Sequence, residues 1–110
     1  MASIQNGLQL VATCVATAAT GAPVAGTNKG IASVADTGAG DHAFTLNEGI
    51  DANECLVVID AREAAAAGGV MMSCVHTSDT VKQIITVDDA GMAADPSANY
   101  RVAFYRIALN

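Results

Sequence analysis

The sequence has few aromatic and few basic residues. It contains no tryptophan, two tyrosines and two phenylalanines, and its five Lys and Arg stand against eleven Asp and Glu, which gives a formal net charge of −6. Nucleic-acid binders draw most of their affinity from Lys and Arg that neutralise phosphates, and anionic membrane surfaces attract the same two residue types. We therefore expect neither a nucleic acid nor a membrane as a partner.

Long apolar runs are also missing, although 52% of the residues are hydrophobic and the mean hydropathy is +0.37. A membrane-spanning helix needs about 20 consecutive apolar residues, and Gln, Asn, Lys, Asp and Gly interrupt every candidate stretch. The opening residues 1–7 lack the basic segment and apolar core of a secretory signal. We expect the chain to stay in the compartment where it is made.

The sequence shows no pattern of catalytic or metal-binding residues. Cys14, Cys55 and Cys74 are odd in number, form no CxxC motif and have no histidine at a metal-ligand spacing. His42 and His76 lie in alternating segments without a carboxylate or cysteine at a local ligand spacing, which favours structural or surface histidines. We therefore expect free cysteines that act as small apolar residues, no catalytic residue, no cofactor, no metal and no small-molecule substrate. The chain is predicted not to be an enzyme.

Three acidic residues late in the chain offer the oxygen ligands that hard cations take. Asp88, Asp89 and Asp95 do not have the spacing of an EF-hand loop, and adjacent carboxylates at a strand end point to opposite faces. Solvated loop charges are the favoured interpretation.

Hydrophobic alternation with a period of two predicts an all-β chain. His42, Phe44 and Leu46 share one face of their strand, and we expect that face to be core. The glycines of residues 36–40 favour a hairpin turn between two of the strands. The predicted strands cover residues 8–17, 30–35, 41–46, 54–61, 70–77, 81–87 and 100–108. Short strands with such links predict an antiparallel β-sandwich, jelly-roll-like, with an extended N-terminal arm.

The chain is long enough for one domain. Residues 1–29 are predicted to form an N-terminal strand and a flexible arm, and residues 30–110 the β-sandwich domain. The Gly and Pro residues of 18–30 predict a loosely patterned link. Residues 62–69 and 88–96 are interpreted as loops that each have room for one helical turn.

The chain has too few charged residues to cover its surface with charge. Only 16 of 110 residues are charged, most of them in loops, and a domain of this size buries only about two-thirds of the surface of its unfolded chain. The strands must therefore present apolar or Ala, Thr and Ser faces on both sides, which favours a homo-oligomer over a monomeric sandwich with a weakly polar surface. The candidate interface residues are Leu8, Leu10, Val11, Val15, Val24, Tyr100, Phe104 and Tyr105.

Several segments resemble small β-domains of structural proteins from tailed bacteriophages. Residues 37–46, TGAGDHAFTL, resemble their T-G-x-G-D-[YH]-x-[VF]-T-L opening. Residues 78–96, SDTVKQIITVDDAGMAADP, resemble their S-x-T-x-[VK]-x-[VI]-x-[TV]-x-D-x-A-G-x-[AP]-A-D loop. Residues 56–59 and 100–106 are similar to their central and last strands.

The resemblance implies a virion component that is made in the host cytoplasm. One alternative is a capsid decoration (cement) protein, a homotrimer on the capsid surface that binds the major capsid protein and bridges capsomers without covalent bonds. The other is a receptor-binding or fibre β-module of a phage tail or head, with residues 62–69 and 88–97 meeting the host. Decoration is favoured by the short chain, and residues 2–29, nearly free of charge, are the expected contact with the shell or an adjacent copy. A small β-barrel enzyme or ligand-binding protein is a remote third alternative, because convergent polar groups are missing.

Overall fold

The computed structural model describes residues 7–62 and 70–108 and is all-β, as the alternation predicts. The described residues hold one turn of 3-10 helix at Ala52–Glu54, and no helix among them is long and apolar enough to span a membrane. The seven strands are β1 (Gly7–Ala16), β2 (Ile31–Gly38), β3 (Asp41–Leu46), β4 (Cys55–Asp60), β5 (Met71–His76), β6 (Val81–Val87) and β7 (Tyr100–Ala108).

Two antiparallel sheets pack together as a β-sandwich. One sheet has the strand order β1-β7-β4 and the other β2-β3-β6-β5. Two hairpins, β2-β3 and β5-β6, lie within the second sheet, and the remaining connections cross from one sheet to the other. The first and last strands of the chain are therefore neighbours, and Gly7 pairs with Ala108.

The core lies between the sheets and contains three of the four aromatic residues. Tyr100 and Phe104 of β7 and Phe44 of β3 have no exposed surface. The Phe44 ring lies 6.5 Å from the Tyr100 ring at 75° and 6.1 Å from the Phe104 ring at 54°, measured between centroids. Such tilted and edge-to-face pairs are the favoured aromatic geometries. The predicted core face of β3 is confirmed, because His42 and Leu46 are buried as well.

The β1 strand alternates regularly except at one β-bulge. Its inner positions Ala12, Cys14 and Ala16 have no exposed surface. The register with β7 shifts between Leu10 and Ala12, which leaves Val11 as the additional residue. Val11 packs against the core instead of alternating outward.

The link between β1 and β2 folds back along the outer edge of β1. Thr13 and Lys29 exchange two backbone hydrogen bonds, and the Val24 amide donates to the Val15 carbonyl. The link therefore covers the second half of the β1 edge. Gly7–Ala16 is part of the sandwich, while the first residues of the predicted arm, 1–6, lie outside the described residues.

Of the two predicted loops, the structure describes residues 88–96 but only Arg62 of residues 62–69. Residues 63–69, and with them most of the helical turn predicted within 62–69, lie outside the described residues. Residues 88–92 form a β-turn instead of a helical turn, because the Asp88 side chain accepts hydrogen bonds from the amides of Ala90 and Met92, both at 2.9 Å. An Asp that binds its own following backbone stabilises a turn in this way.

Candidate interaction surface

The outer face of the β1-β7-β4 sheet carries large apolar side chains in contact with solvent. Alternation turns Tyr105 of β7 outward, and the register places it between Leu10 of β1 and Leu56 of β4. Leu8 lies beside Ile107 in the next row, and Val58 beside Ala103. These residues define the apolar face: Leu8, Leu10, Leu56, Val58, Ala103, Tyr105 and Ile107.

Five side chains of the apolar face are strongly exposed, with relative exposures from 40% for Leu10 to 55% for Leu8. Single exposed apolar residues are ordinary on protein surfaces, whereas contiguous patches of several hundred Å² mark contact sites. The register shows that these residues are neighbours. The apolar face is therefore a candidate contact site.

The charges of this sheet face lie at one end. Asp60 of β4 pairs with Arg101 of β7, and Val15 lies on the other side of Arg101. Arg101 Nη1 donates to Thr13 Oγ1 at 3.3 Å, and Arg62 Nε lies 3.5 Å from Asp60 Oδ2 at the surface. The rows beyond these residues, toward Leu8, carry no charge on the outer side.

The outer face of the β2-β3-β6-β5 sheet is also nearly free of charge and carries exposed apolar side chains of its own, with Met71 at 70% and Val75 at 46% exposure. The register aligns Ala35, Ala43, Gln83 and Val75 in one row across its four strands. Among the described residues of this face Asp41 is the one charged side chain, and it accepts a hydrogen bond from Gln83 Nε2. Both sheets therefore present an outer face with little charge and with exposed apolar side chains.

The structure brings only part of the predicted interface set together. Leu8, Leu10 and Tyr105 lie on the apolar face, and Val15 lies at its charged end. Val11 packs toward the core, and Val24 lies on the link along the β1 edge.

Tyr100 and Phe104 require a correction. Both have no exposed surface in the folded chain, because alternation along β7 turns them to the core side while Tyr105 turns outward. They are core residues and cannot contact a partner. The prediction also missed Leu56, Val58 and Ile107, although the alternation of β4 and β7 already placed them opposite the core.

A buried polar pair, His42 and Tyr100, lies at one end of the core beside the exposed Asp95. His42 Nδ1 is 2.7 Å from the Tyr100 hydroxyl, and the two rings stack with an interplanar angle of 4°. His42 Nε2 makes no hydrogen bond and lies 3.9 Å from Asp95 Oδ1. His42 has no exposed surface, so it is a structural histidine and is not placed to act on a substrate. Burial raises the pKa of Tyr100, with Cys14 and Asp95 adding to that effect, so its hydroxyl is protonated and can donate.

Hydrogen bonds beside this pair join the β2-β3 hairpin to the 88–96 loop. The Gly40 amide donates to Asp95 Oδ1 at 2.8 Å, and the Thr86 amide donates to the Gly40 carbonyl. Gly40 has a φ of +65°, and a Cβ atom there would overlap the carbonyl oxygens of Thr86 and Ala94. Only glycine therefore fits where the hairpin meets the 88–96 loop.

The cysteines are unactivated thiols. All three are free. Burial raises the pKa of Cys14 to about 11, with Arg101 opposing the shift, and burial also raises the pKa of Cys55 and Cys74, with Lys82 opposing. The thiolate is the nucleophilic form, so these shifts disfavour nucleophilic chemistry at neutral pH.

A ligand site would need a large cavity or a group of metal-binding side chains. A cavity of about 60 Å³ is lined by Val11, Ile50, Cys55 and Arg106, among others. It has room for about two water molecules, well below the ~300 Å³ of small ligand pockets. In residues 7–62 and 70–108 no three His, Cys, Asp or Glu side chains are grouped to hold a metal ion.

Comparisons with known proteins give no relative of this chain. No family model matches the sequence, no curated protein matches it, and no solved structure matches the fold at a significant level. The apolar face is therefore the feature on which a functional argument for this chain can be built.

Proposed function

We propose that the chain is a virion structural protein, a capsid decoration (cement) protein that binds the outer shell as a homotrimer. It stabilises the phage head by non-covalent bridging of capsomers of the major capsid protein. The observation that carries the proposal is the apolar face, together with a second sheet face that is nearly free of charge. A chain with these two surfaces is suited to contacts on both sides of the sandwich.

Surface composition favours a binding protein over a catalyst. His42 and Tyr100 are closed off in the core, and burial raises the pKa of all three thiols. The exposed features are instead the broad faces of two sheets, which bind by contact area. Weak contacts repeated over several subunits gain avidity, so a small trimer can hold neighbouring capsomers together.

Two of the segments that carry the resemblance to phage β-domains meet in the fold. Residues 37–46 and 78–96 are far apart in sequence, yet they meet through the hydrogen bonds of Gly40 with Thr86 and Asp95. The similar residues are therefore the ones that fix one end of this sandwich.

The proposal is tested by sedimentation with phage heads that lack decoration. The purified chain is incubated with heads assembled from the major capsid protein of the same genome, and the pellet is analysed for both proteins. We expect the chain to pellet at a saturating ratio to the capsid protein. A chain that stays in the supernatant at all concentrations contradicts decoration, and binding to host cells in its place supports the fibre alternative.

The predicted contact of residues 2–29 with the shell needs a narrow variant. Removing all of 2–29 would delete β1 and with it the buried Ala12, Cys14 and Ala16, so the sandwich would lose a core strand. Deletion of residues 2–6 leaves β1 intact. Deletion of residues 109–110 is the control, because the pairing of Gly7 with Ala108 places the start of β1 and the end of β7 at the same end of the sheet. We expect the first deletion to weaken pelleting and the second to leave it unchanged.

A further inference from the structure

The two sides of the sandwich differ in how their edge strands are protected. On one side β1 lies over β2, and on the other side β4 lies over β5. The link covers the second half of the β1 edge, and the pairing of β2 with β3 is irregular near both of its ends. Covering segments and β-bulges are among the devices that keep an edge strand from pairing with another chain.

The edges of β4 and β5 carry none of these devices on the described chain. Both strands have six residues, pair with their inner neighbours without a register shift, and contain no proline, lysine or arginine. No strand of the described residues pairs with their outer edges. An apolar edge strand of this kind is a template for pairing with another strand.

The core is also incompletely covered on this side. Val57 and Ile59 of β4 and Met72 and Cys74 of β5 pack against the core, yet each of them stays partly exposed. The inward residues of β1, on the opposite side, have no exposed surface. The side formed by β4 and β5 therefore has apolar surface left to bury.

Exposed apolar side chains are concentrated on the same two strands. Eight large apolar side chains are strongly exposed among the described residues, and four of them lie here: Leu56, Val58, Met71 and Val75. None of the eight lies on β2, β3 or β6. A partner at this side would therefore cover apolar side chains of both sheets.

The stacking of the two edges limits what the partner can be. A chain that pairs with β4 and β5 together must present two strands about 10 Å apart, which is the spacing of packed sheets. A second copy presents such strands, because a twofold axis perpendicular to both sheets brings β4 against β4 and β5 against β5, antiparallel in each case. In the register that pairs all six residues, Asp60 lies opposite Cys55 of the other copy and His76 opposite Met71, so like charges do not meet.

We propose that two copies of this chain pair side by side around a twofold axis through β4 and β5, so that both sheets run continuously across the pair. The inference goes beyond the proposed function, because this contact is twofold and uses the strand edges. On a shell the same contact would join chains of neighbouring trimers.

A matched pair of lysine variants tests which surface makes the contact. Val58→Lys places a charge on the β4 edge strand, and Leu8→Lys places one on β1, at the opposite edge of the same sheet; the two side chains are 47% and 55% exposed. For the unchanged protein and for Leu8→Lys, light scattering should give an even number of chains of 11.0 kDa, either two, or six where trimers also form. Val58→Lys should have half that mass, because a lysine on an edge strand disfavours pairing.

An odd number of chains in the unchanged protein overturns the inference, and so does a Val58→Lys variant that keeps the full mass. Equal dissociation of Leu8→Lys overturns it as well, because the contact would then lie on the sheet face and not at the edges. Circular dichroism checks that each variant retains its strands. If Val58→Lys does not fold, Val75→Lys on β5 takes its place, with the same halving of the mass expected.

Sedimentation with heads separates the two proposals. An unpaired chain that pellets with heads contradicts the twofold pairing only, and a paired chain that stays in the supernatant contradicts decoration only.

Discussion

The hydrogen bond between Tyr100 and His42 gives a sharp prediction about stability. Tyr100→Phe keeps the ring in place but removes the hydroxyl that lies 2.7 Å from His42 Nδ1. His42 has no exposed surface, and its Nε2 already has no hydrogen bond, so both ring nitrogens would be buried without a partner. A buried polar atom that loses its partner costs about 1–3 kcal/mol. For a domain of this size we expect Tm to fall by about 4–12 °C.

Tyr105→Phe is the matched control. It removes a hydroxyl from the same strand, but Tyr105 lies on the outer side of β7, and its hydroxyl makes no hydrogen bond within the described residues. A change of this kind should stay within about 0.5 kcal/mol. Thermal unfolding is followed by circular dichroism at one fixed protein concentration, because the Tm of an oligomer depends on concentration. If Tyr100→Phe melts within about 2 °C of Tyr105→Phe, the structural role assigned to the buried pair is refuted.

Two further predictions concern backbone fit and alkaline pH. Gly21 and Gly26 have φ values of +77° and +82°, but a Cβ at Gly21 would lie 2.7 Å from His42 Cγ, while nothing lies within 4 Å at Gly26. We expect Gly26→Ala to lower the free energy of unfolding by about 1 kcal/mol, because alanine is strained at this φ. Gly21→Ala should lower it by about 2 kcal/mol more, because its Cβ also displaces the buried His42 ring. Urea unfolding measures both values, and equal losses would contradict this packing. Burial raises the pKa of Cys14 from 9.0 to about 11, so folding favours the protonated thiol. This preference contributes about 2–3 kcal/mol to stability below pH 9, and the contribution is lost as the pH rises from 9 to 11. Cys14→Ala should lose less stability than the unchanged protein between pH 8 and 10.5, and parallel losses would count against the account.

Alternation predicted the strands because both sheets have one face in the core. The sequence could also have separated Tyr100 and Phe104 from Tyr105, since residues four apart share a face of a strand and residues five apart do not. Treating the aromatic residues as one group hid this difference. The β-turn at Asp88 likewise had a local signal in the Asp-Asp-Ala-Gly sequence.

Other features depend on contacts that the sequence does not display. Val11 packs toward the core because of a β-bulge, and a single extra residue in a strand leaves no clear mark in the alternation. The apolar face could not be assembled in advance because Leu56 and Leu10 become neighbours of Tyr105 only through the order β1-β7-β4. The burial of His42 against Tyr100 also joins residues 58 positions apart.

Electron cryomicroscopy of phage heads incubated with this chain tests the proposed capsid decoration most directly. We predict protrusions with threefold symmetry on the outer surface of the shell, each holding three copies of the chain. A bare shell, or density for this chain in the tail alone, would contradict the assignment as a capsid decoration protein.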